Sequence, residues 1–218
     1  MKNNSVESFP LILLAGGRSS RMGVPKGLMP YQGCPWLLEQ FRRFRVAGGK
    51  RVIVALGFCR EDYLRHFPWL AGDAQVPASL SGLNISIAVN PHPQRGPFSS
   101  LQSAIAALKE EDHPGVFVLP IDVPGPGREV FEAMSRAFGG SLKALIPCFK
   151  SKGGHPVLLS RPFIIHLAGI APDAMDARLD FQIRALPRNR VARIPVPDEQ
   201  ISMNMNRPED FKHYLKES

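Results

Sequence analysis

Apolar residues in this chain come in short dense runs, and stretches with helical spacing lie between them. Leu11–Ala15 (LILLA) is wholly apolar and meets two glycines at once, which predicts a buried strand. Arg51–Leu56, Ile85–Val89 and Val116–Pro120 repeat that pattern, and Lys143–Pro147, Val157–Leu159 and Val191–Val196 repeat it in shorter form. Between them, Trp36, Leu37, Phe41 and Phe44 recur at helical intervals over Trp36–Val46, with Pro35 suited to a first turn. Arg60–Phe67, Phe98–Lys109 (Leu101, Ile105 and Leu108 on one stripe), Glu129–Phe138 and Pro208–Leu215 also read as helices. Near-continuous apolar strands alternating with helices predict an α/β fold: a single-domain, Rossmann-like, mostly parallel sheet flanked by helices. The domain is expected over 9–216, with 1–8 a flexible N-terminus. Ligands of such sheets bind beyond the carboxyl ends of strands, so the loops after 11–15, 85–89 and 116–120 are the places to search.

Composition narrows the setting. The 218 residues are 44% hydrophobic, enough for a core. No apolar run approaches a membrane span, and the start, MKNNSVESFP, is too polar for a signal peptide, so no membrane role and a cytoplasmic location are expected. Cys34, Cys59 and Cys148 are scattered and odd in number, a poor disulfide framework and a poor zinc site.

The net charge of +8 suggests an anionic partner, and its distribution says which kind. Residues 1–60 hold ten Lys and Arg against two acids, Glu7 and Glu39, while the remainder balances. Arg42, Arg43 and Arg45 suit the outer face of a helix. Arg18, Arg21 and Lys26 instead interleave with glycines in the loop LAGGRSSRMGVPK. Glycines let backbone N–H groups approach an anion, and three cations crowded there suit a triphosphate. The loop is neither G-x-x-x-x-G-K-[ST] nor G-x-G-x-x-G, so neither a P-loop nor a dinucleotide fingerprint is present. No aromatic-basic platform for single strands accompanies it, which argues against nucleic acid.

LAGG-x-S-x-RMG-x-x-K, continuing through Gly27, Leu28 and Gly33-x-Pro35-x-Leu37, resembles the signature of the molybdenum cofactor nucleotidyltransferases. These are the molybdopterin guanylyl- and cytidylyltransferases, related to sugar-phosphate nucleotidyltransferases, and the resemblance extends over roughly 11–211. It implies a nucleotide-diphospho-sugar transferase-like fold and Mg²⁺-dependent transfer of NMP from an NTP to a phosphate acceptor, molybdopterin foremost, with release of pyrophosphate. Leu14, Ala15, Gly16, Gly17, Arg18, Ser19 and Gly23 would then wrap the nucleotide, and Arg21 and Lys26 would stabilise its phosphates. A molybdoenzyme or its chaperone is the macromolecular partner implied. A sugar-phosphate acceptor, or a non-catalytic nucleotide- or cofactor-binding protein on the same fold, are the alternatives.

Asp122 ends the fourth long strand. A lone Asp there is more often a turn former, but hard carboxylate oxygen beside a phosphate loop suits Mg²⁺, and the stretch resembles the family's metal-binding D-x-P. Asn204-Met205-Asn206-Arg207-Pro208-Glu209-Asp210 resembles the family's N-x-N-T-P-E-D, with Arg207 in place of Thr. Asn204 is the expected second metal ligand; Asn206 is expected either to cap the last helix or to face the acceptor. Asn90, Gly96, Ser99 and Ser100 match an element near base and ribose, although the serines also suit helix capping. His155, in Gly153-Gly154-His155-Pro156, resembles an acceptor-side G-H-P. Arg184, Arg188, Arg190 and Arg193 read as a solvated basic face or as a holder for a pterin phosphate. The base is left open: LAGG, Lys26-Gly27-Leu28 and Asn204-x-Asn206 resemble guanylyl members, whereas Arg95-Gly96-x-x-Ser99-Ser100 and Gly154-His155-Pro156 resemble cytidylyl members.

Overall fold

The computed structural model describes residues 4–72, 75–108 and 113–217. In chain order the regular elements are β1 (Leu11–Ala15), β2 (Pro30–Tyr31), β3 (Cys34–Pro35), α1 (Trp36–Val46), β4 (Arg51–Leu56) and α2 (Arg60–His66). Then follow β5 (Asn84–Val89), α3 (Pro97–Ala107), β6 (Gly115–Pro120), α4 (Arg128–Ala137), β7 (Ala144–Phe149), β8 (Lys152–Gly153) and β9 (Val157–Ser160). The last are α5 (Arg161–Ala168), α6 (Leu179–Arg184), β10 (Val191–Pro195) and α7 (Pro208–Glu217). Lys109, expected to end the third helix, lies outside the described residues.

The main sheet runs β10-β7-β9-β6-β1-β4-β5, with β8 paired to β7. β1, β4, β5 and β6 are mutually parallel, as are β7 and β10, while β9 runs antiparallel between β6 and β7. The sheet is therefore mixed and mostly parallel, flanked by helices, as the apolar runs predict. Strand order reverses at β1, because β4 and β5 extend to one side and β6 to the other. That is the switch point at which such sheets open a crevice.

Alternation along the strands feeds two cores. Leu11, Leu13, Val52, Val54, Phe117 and Leu119 pack with α1, α4 and α7. Ile12, Ile53, Ala55, Val116 and Val118 point the other way, toward α3 and α5. The segment expected to be loose at the N-terminus is tied down where it is described. Val6 is buried in the first of these cores, and the Asn4 side chain donates to the Phe138 carbonyl at 2.7 Å. Burying Val6 beside Phe9 offsets the order imposed on this short turn. No helix among the described residues is long and apolar enough to cross a membrane.

α1 also reaches beneath the loop after β6. The Trp36 indole donates to the Ile121 carbonyl at 2.8 Å, and the Gln40 amide bonds Val123 and Gly125, each at 2.8 Å. Arg43 is not a solvated residue of the outer face. Its guanidinium donates to the Gly125 carbonyl at 2.8 Å, pairs with buried Glu39 at 2.7 Å, and lies over Tyr31, Trp36 and Tyr214. Burial alone pushes the Glu39 carboxyl up; the bonds from Arg42 and Arg43 more than reverse this and hold it below the usual glutamate value. Both flanks of Asp122 are thereby fixed by main-chain bonds to a rigid helix.

Candidate functional site: a cleft at the sheet crossover

A cleft of about 540 Å³ opens over the ends of β1, β4 and β6. Leu14, Ala15, Gly16, Gly17, Arg18, Ser19, Arg21, Lys26, Gly96, Ser100, Asp122 and Asn206 line it, and all of these are expected from the sequence. Ser20, Met22, Phe58, Pro93, Pro97, Pro120 and Ile121 line it as well and are not. Phe58 belongs to the loop after β4, a parallel strand whose end was not among those expected to carry the site.

The glycine loop is open toward the cleft. Ser19, at a φ of 50°, accepts from the Met22 N–H through its carbonyl and from the Lys26 N–H through its hydroxyl. The backbone N–H groups of Gly17, Arg18, Ser20 and Arg21 meet no acceptor among the described residues. Such unspent donors beside Arg18 and Arg21 make an anion cradle. Gly23, at a φ of 73°, turns the chain and does not line the cleft.

Lys26 closes the loop on a firm base. The next residue, Gly27, donates its N–H to the buried Tyr63 hydroxyl at 3.0 Å, and a Cβ there would strike the Tyr63 ring at 2.7 Å. Burial pushes the Tyr63 phenol far up, so it stays neutral. From this turn the Lys26 ammonium reaches Asp122 Oδ2 and Asn206 Oδ1, each at 2.9 Å.

The two asparagines of this element are placed differently. Asn204 is exposed and outside the cleft; Asn206 holds the inward place beside Asp122. The Met205 N–H donates to the Asp122 carbonyl at 2.8 Å, and the Asn206 N–H turns back to the Asn204 carbonyl at 3.1 Å. Asp210 caps the start of α7 by accepting from the Asn206 and Arg207 N–H groups at 2.9 Å. The Asn206 side chain is therefore not needed as the cap.

Asn90 and Ser99 shape the wall without facing the cleft. Asn90 is buried; its amide donates to the Ser99 and Ser100 hydroxyls at 2.8 and 3.0 Å and accepts the His92 N–H at 2.9 Å. The Ser99 hydroxyl in turn meets the Gly96 carbonyl at 2.8 Å. His155 does not line the cleft. Burial pushes its imidazole below the ordinary histidine value, while the Val118 backbone and the Asp122 charge pull the other way. Its Nδ1 is buried with no partner among the described residues. The three cysteines are free thiols.

Among the described residues no group of three or more His, Cys, Asp and Glu is placed to hold a metal. Asp122 and Asn206 are nonetheless hard oxygen donors converging on one cation, the Lys26 ammonium. That donor set is of the kind that holds Mg²⁺ when phosphate and water complete it.

Known proteins resemble this chain in sequence and in fold. The family profile described as "MobA-like NTP transferase domain" matches residues 11–187. A molybdenum cofactor guanylyltransferase of Xanthomonas euvesicatoria is 35% identical over 113 residues, 52% of this chain and 46% of that protein. A probable molybdenum cofactor guanylyltransferase of Rhodopirellula baltica is 31% identical over 114 residues, 52% of this chain and 47% of that protein. The chain thus spans about half the length of these curated relatives. The crystal structure of Rv0371c from Mycobacterium tuberculosis superposes with a TM-score of 0.73 at 21% identity, covering 95% of this chain and 98% of that one. A nucleotidyl transferase from Methanothermobacter gives 0.69 at 16% identity, covering 96% and 99%.

Proposed function

We propose that this chain, which belongs to the MobA-like NTP transferase domain family, is a nucleotidyltransferase that moves GMP from GTP to the phosphate of molybdopterin and releases pyrophosphate. The observation that carries this reading is the meeting of Lys26, Asp122 and Asn206 at the end of a glycine loop with open N–H donors. The guanylyltransferase names of the similar curated proteins support GTP over CTP. The free cysteines suit the cytoplasm.

In this reading an acceptor phosphate oxygen attacks the α-phosphorus in line, and the bond to the β-phosphate oxygen breaks as pyrophosphate departs. The glycine-loop N–H groups, Arg21 and Lys26 hold the β- and γ-phosphates and offset the charge gathering on the leaving group. Asp122 and Asn206 are the residues that would hold Mg²⁺, whose chemistry when bound is to neutralise phosphate charge and align the reacting groups. No residue forms a covalent bond to substrate.

The test is pyrophosphate release with each NTP, Mg²⁺ and molybdopterin, with sugar phosphates as competing acceptors. GTP with molybdopterin is expected to turn over, and Asp122→Ala to lower kcat at least about 10³-fold with nucleotide affinity changed far less. Turnover with a sugar phosphate alone would replace the acceptor; no turnover with any pair would end the catalytic reading.

A further inference from the structure

The cleft has two chemically different parts. Arg21, Lys26, Asp122 and Asn206 supply charge and hydrogen bonds; Phe58, Pro93 and Pro97 supply apolar surface. The loop carrying Phe58 is sewn to the phosphate loop. The Phe58 N–H donates to the Gly16 carbonyl at 3.2 Å, and the Cys59 thiol reaches the Gly17 and Arg18 carbonyls at 3.6 Å. Gly57 brings this loop against Pro93, since a Cβ on Gly57 would sit 2.9 Å from the Pro93 Cβ.

The Phe58 side chain serves no core. It is 41% exposed and faces the cleft, where the Arg18 guanidinium lies 4.2 Å above the ring centroid. A flat cation on a phenyl face is favourable by cation–π attraction, yet it leaves apolar surface open beside a highly polar site. An exposed ring, a stacked planar cation and two proline walls make a slot for one more flat aromatic group.

We propose that Phe58, with Arg18 stacked on it, is the platform on which the nucleobase lies, so that this pair holds the base end of the nucleotide while Arg21 and Lys26 hold the phosphate end. The inference rests on the nucleotide reading above and adds a residue that the glycine loop does not contain. Every base has a π-face, so the platform contributes affinity without choosing among bases. Selection of guanine then falls to polar groups elsewhere in the wall.

Equilibrium binding tests the assignment, with GTP, CTP and inorganic tripolyphosphate as probes in the presence of Mg²⁺. Phe58→Ala is expected to weaken GTP and CTP about tenfold each and to leave tripolyphosphate unchanged within about twofold, as loss of one base–aromatic stack predicts. Phe58→Trp is expected to keep affinity, with emission at this site quenched by GTP and not by tripolyphosphate. Thermal melting of both variants should match the parent chain, because Phe58 is outside the core. Unchanged GTP affinity in Phe58→Ala overturns the platform and leaves the nucleotide reading standing. Equal losses for GTP and tripolyphosphate overturn it too, because Phe58 would then act only through the phosphate loop. A parent chain that binds none of the three probes removes the nucleotide reading itself.

Discussion

The two loops that enclose the cleft spend their hydrogen bonds in opposite ways. The glycine loop after β1 leaves the N–H groups of Gly17, Arg18, Ser20 and Arg21 without acceptors among the described residues, and Arg18, Ser20 and Arg21 stand exposed. The loop after β5 spends its polar groups internally: Asn90 binds Ser99, Ser100 and His92, and Ser99 binds Gly96. The first is organised to receive a ligand, the second to be a wall. A polar residue in a binding loop therefore belongs to the ligand only where its bonding capacity is unspent.

Variants on the two sides should separate function from stability, and Lys26→Ala should show the largest effect. The expected loss is about 10²–10³-fold in kcat/KM, with Tm little changed. A large fall in Tm instead would mean that Lys26 is chiefly a structural partner of Asp122. On the other side, Asn90→Ala removes the partner of the buried Ser100 hydroxyl and of the part-buried His92 N–H. Urea unfolding should show about 1–3 kcal/mol lost and an intact m-value. Nucleotide affinity should fall only as Ser100 drifts, and a Kd change without a stability change would put Asn90 on the ligand. Tyr63→Phe removes the acceptor of the Gly27 N–H and is expected to cost about 1 kcal/mol, with kcat falling more than KM rises because Lys26 is positioned from that turn. The smallest effect is expected of Gly17→Ala. Nothing lies within 4 Å of the added Cβ, so melting should stay within about 0.5 kcal/mol of the parent, and any loss should appear in triphosphate binding.

The sequence was legible where apolar runs end on glycine or proline. β1, α1 and β4 begin and end where the pattern places them, because each is a dense or periodic run with sharp punctuation. β9 was legible as a strand but not in direction, since four buried residues read the same either way. α5 and α6 were missed. Each is short, and the Ser160 side chain that caps α5 by accepting from the Phe163 N–H followed a strand with no break between them. The phosphate loop and Asp122 were legible because the charge sits where a core gives no use for it. Which of Asn204 and Asn206 lines the cleft was not: it turns on a bend at Met205 and on Asp210 taking the capping duty. Phe58 was hidden because one aromatic residue after a strand looks like core until its exposure is known.

Where Gly16 of the glycine loop passes Gly57 of the loop after β4, no side chain stands between the two main chains. A Cβ on Gly57 would sit 2.5 Å from the Gly16 carbonyl oxygen, and one on Gly16 would sit 2.6 Å from the Ser100 hydroxyl. The two loops leave β1 and β4, which are neighbours in the parallel ladder. Their separation at this crossing is that of neighbouring strands, about 4.8 Å, and it holds because Gly57 carries no side chain. The side chains that line the mouth, Arg18 and Phe58 among them, therefore set its chemistry, while the glycine crossing and the sheet set its gauge. A side chain at Gly57 would force the two loops apart and change the width of the slot itself.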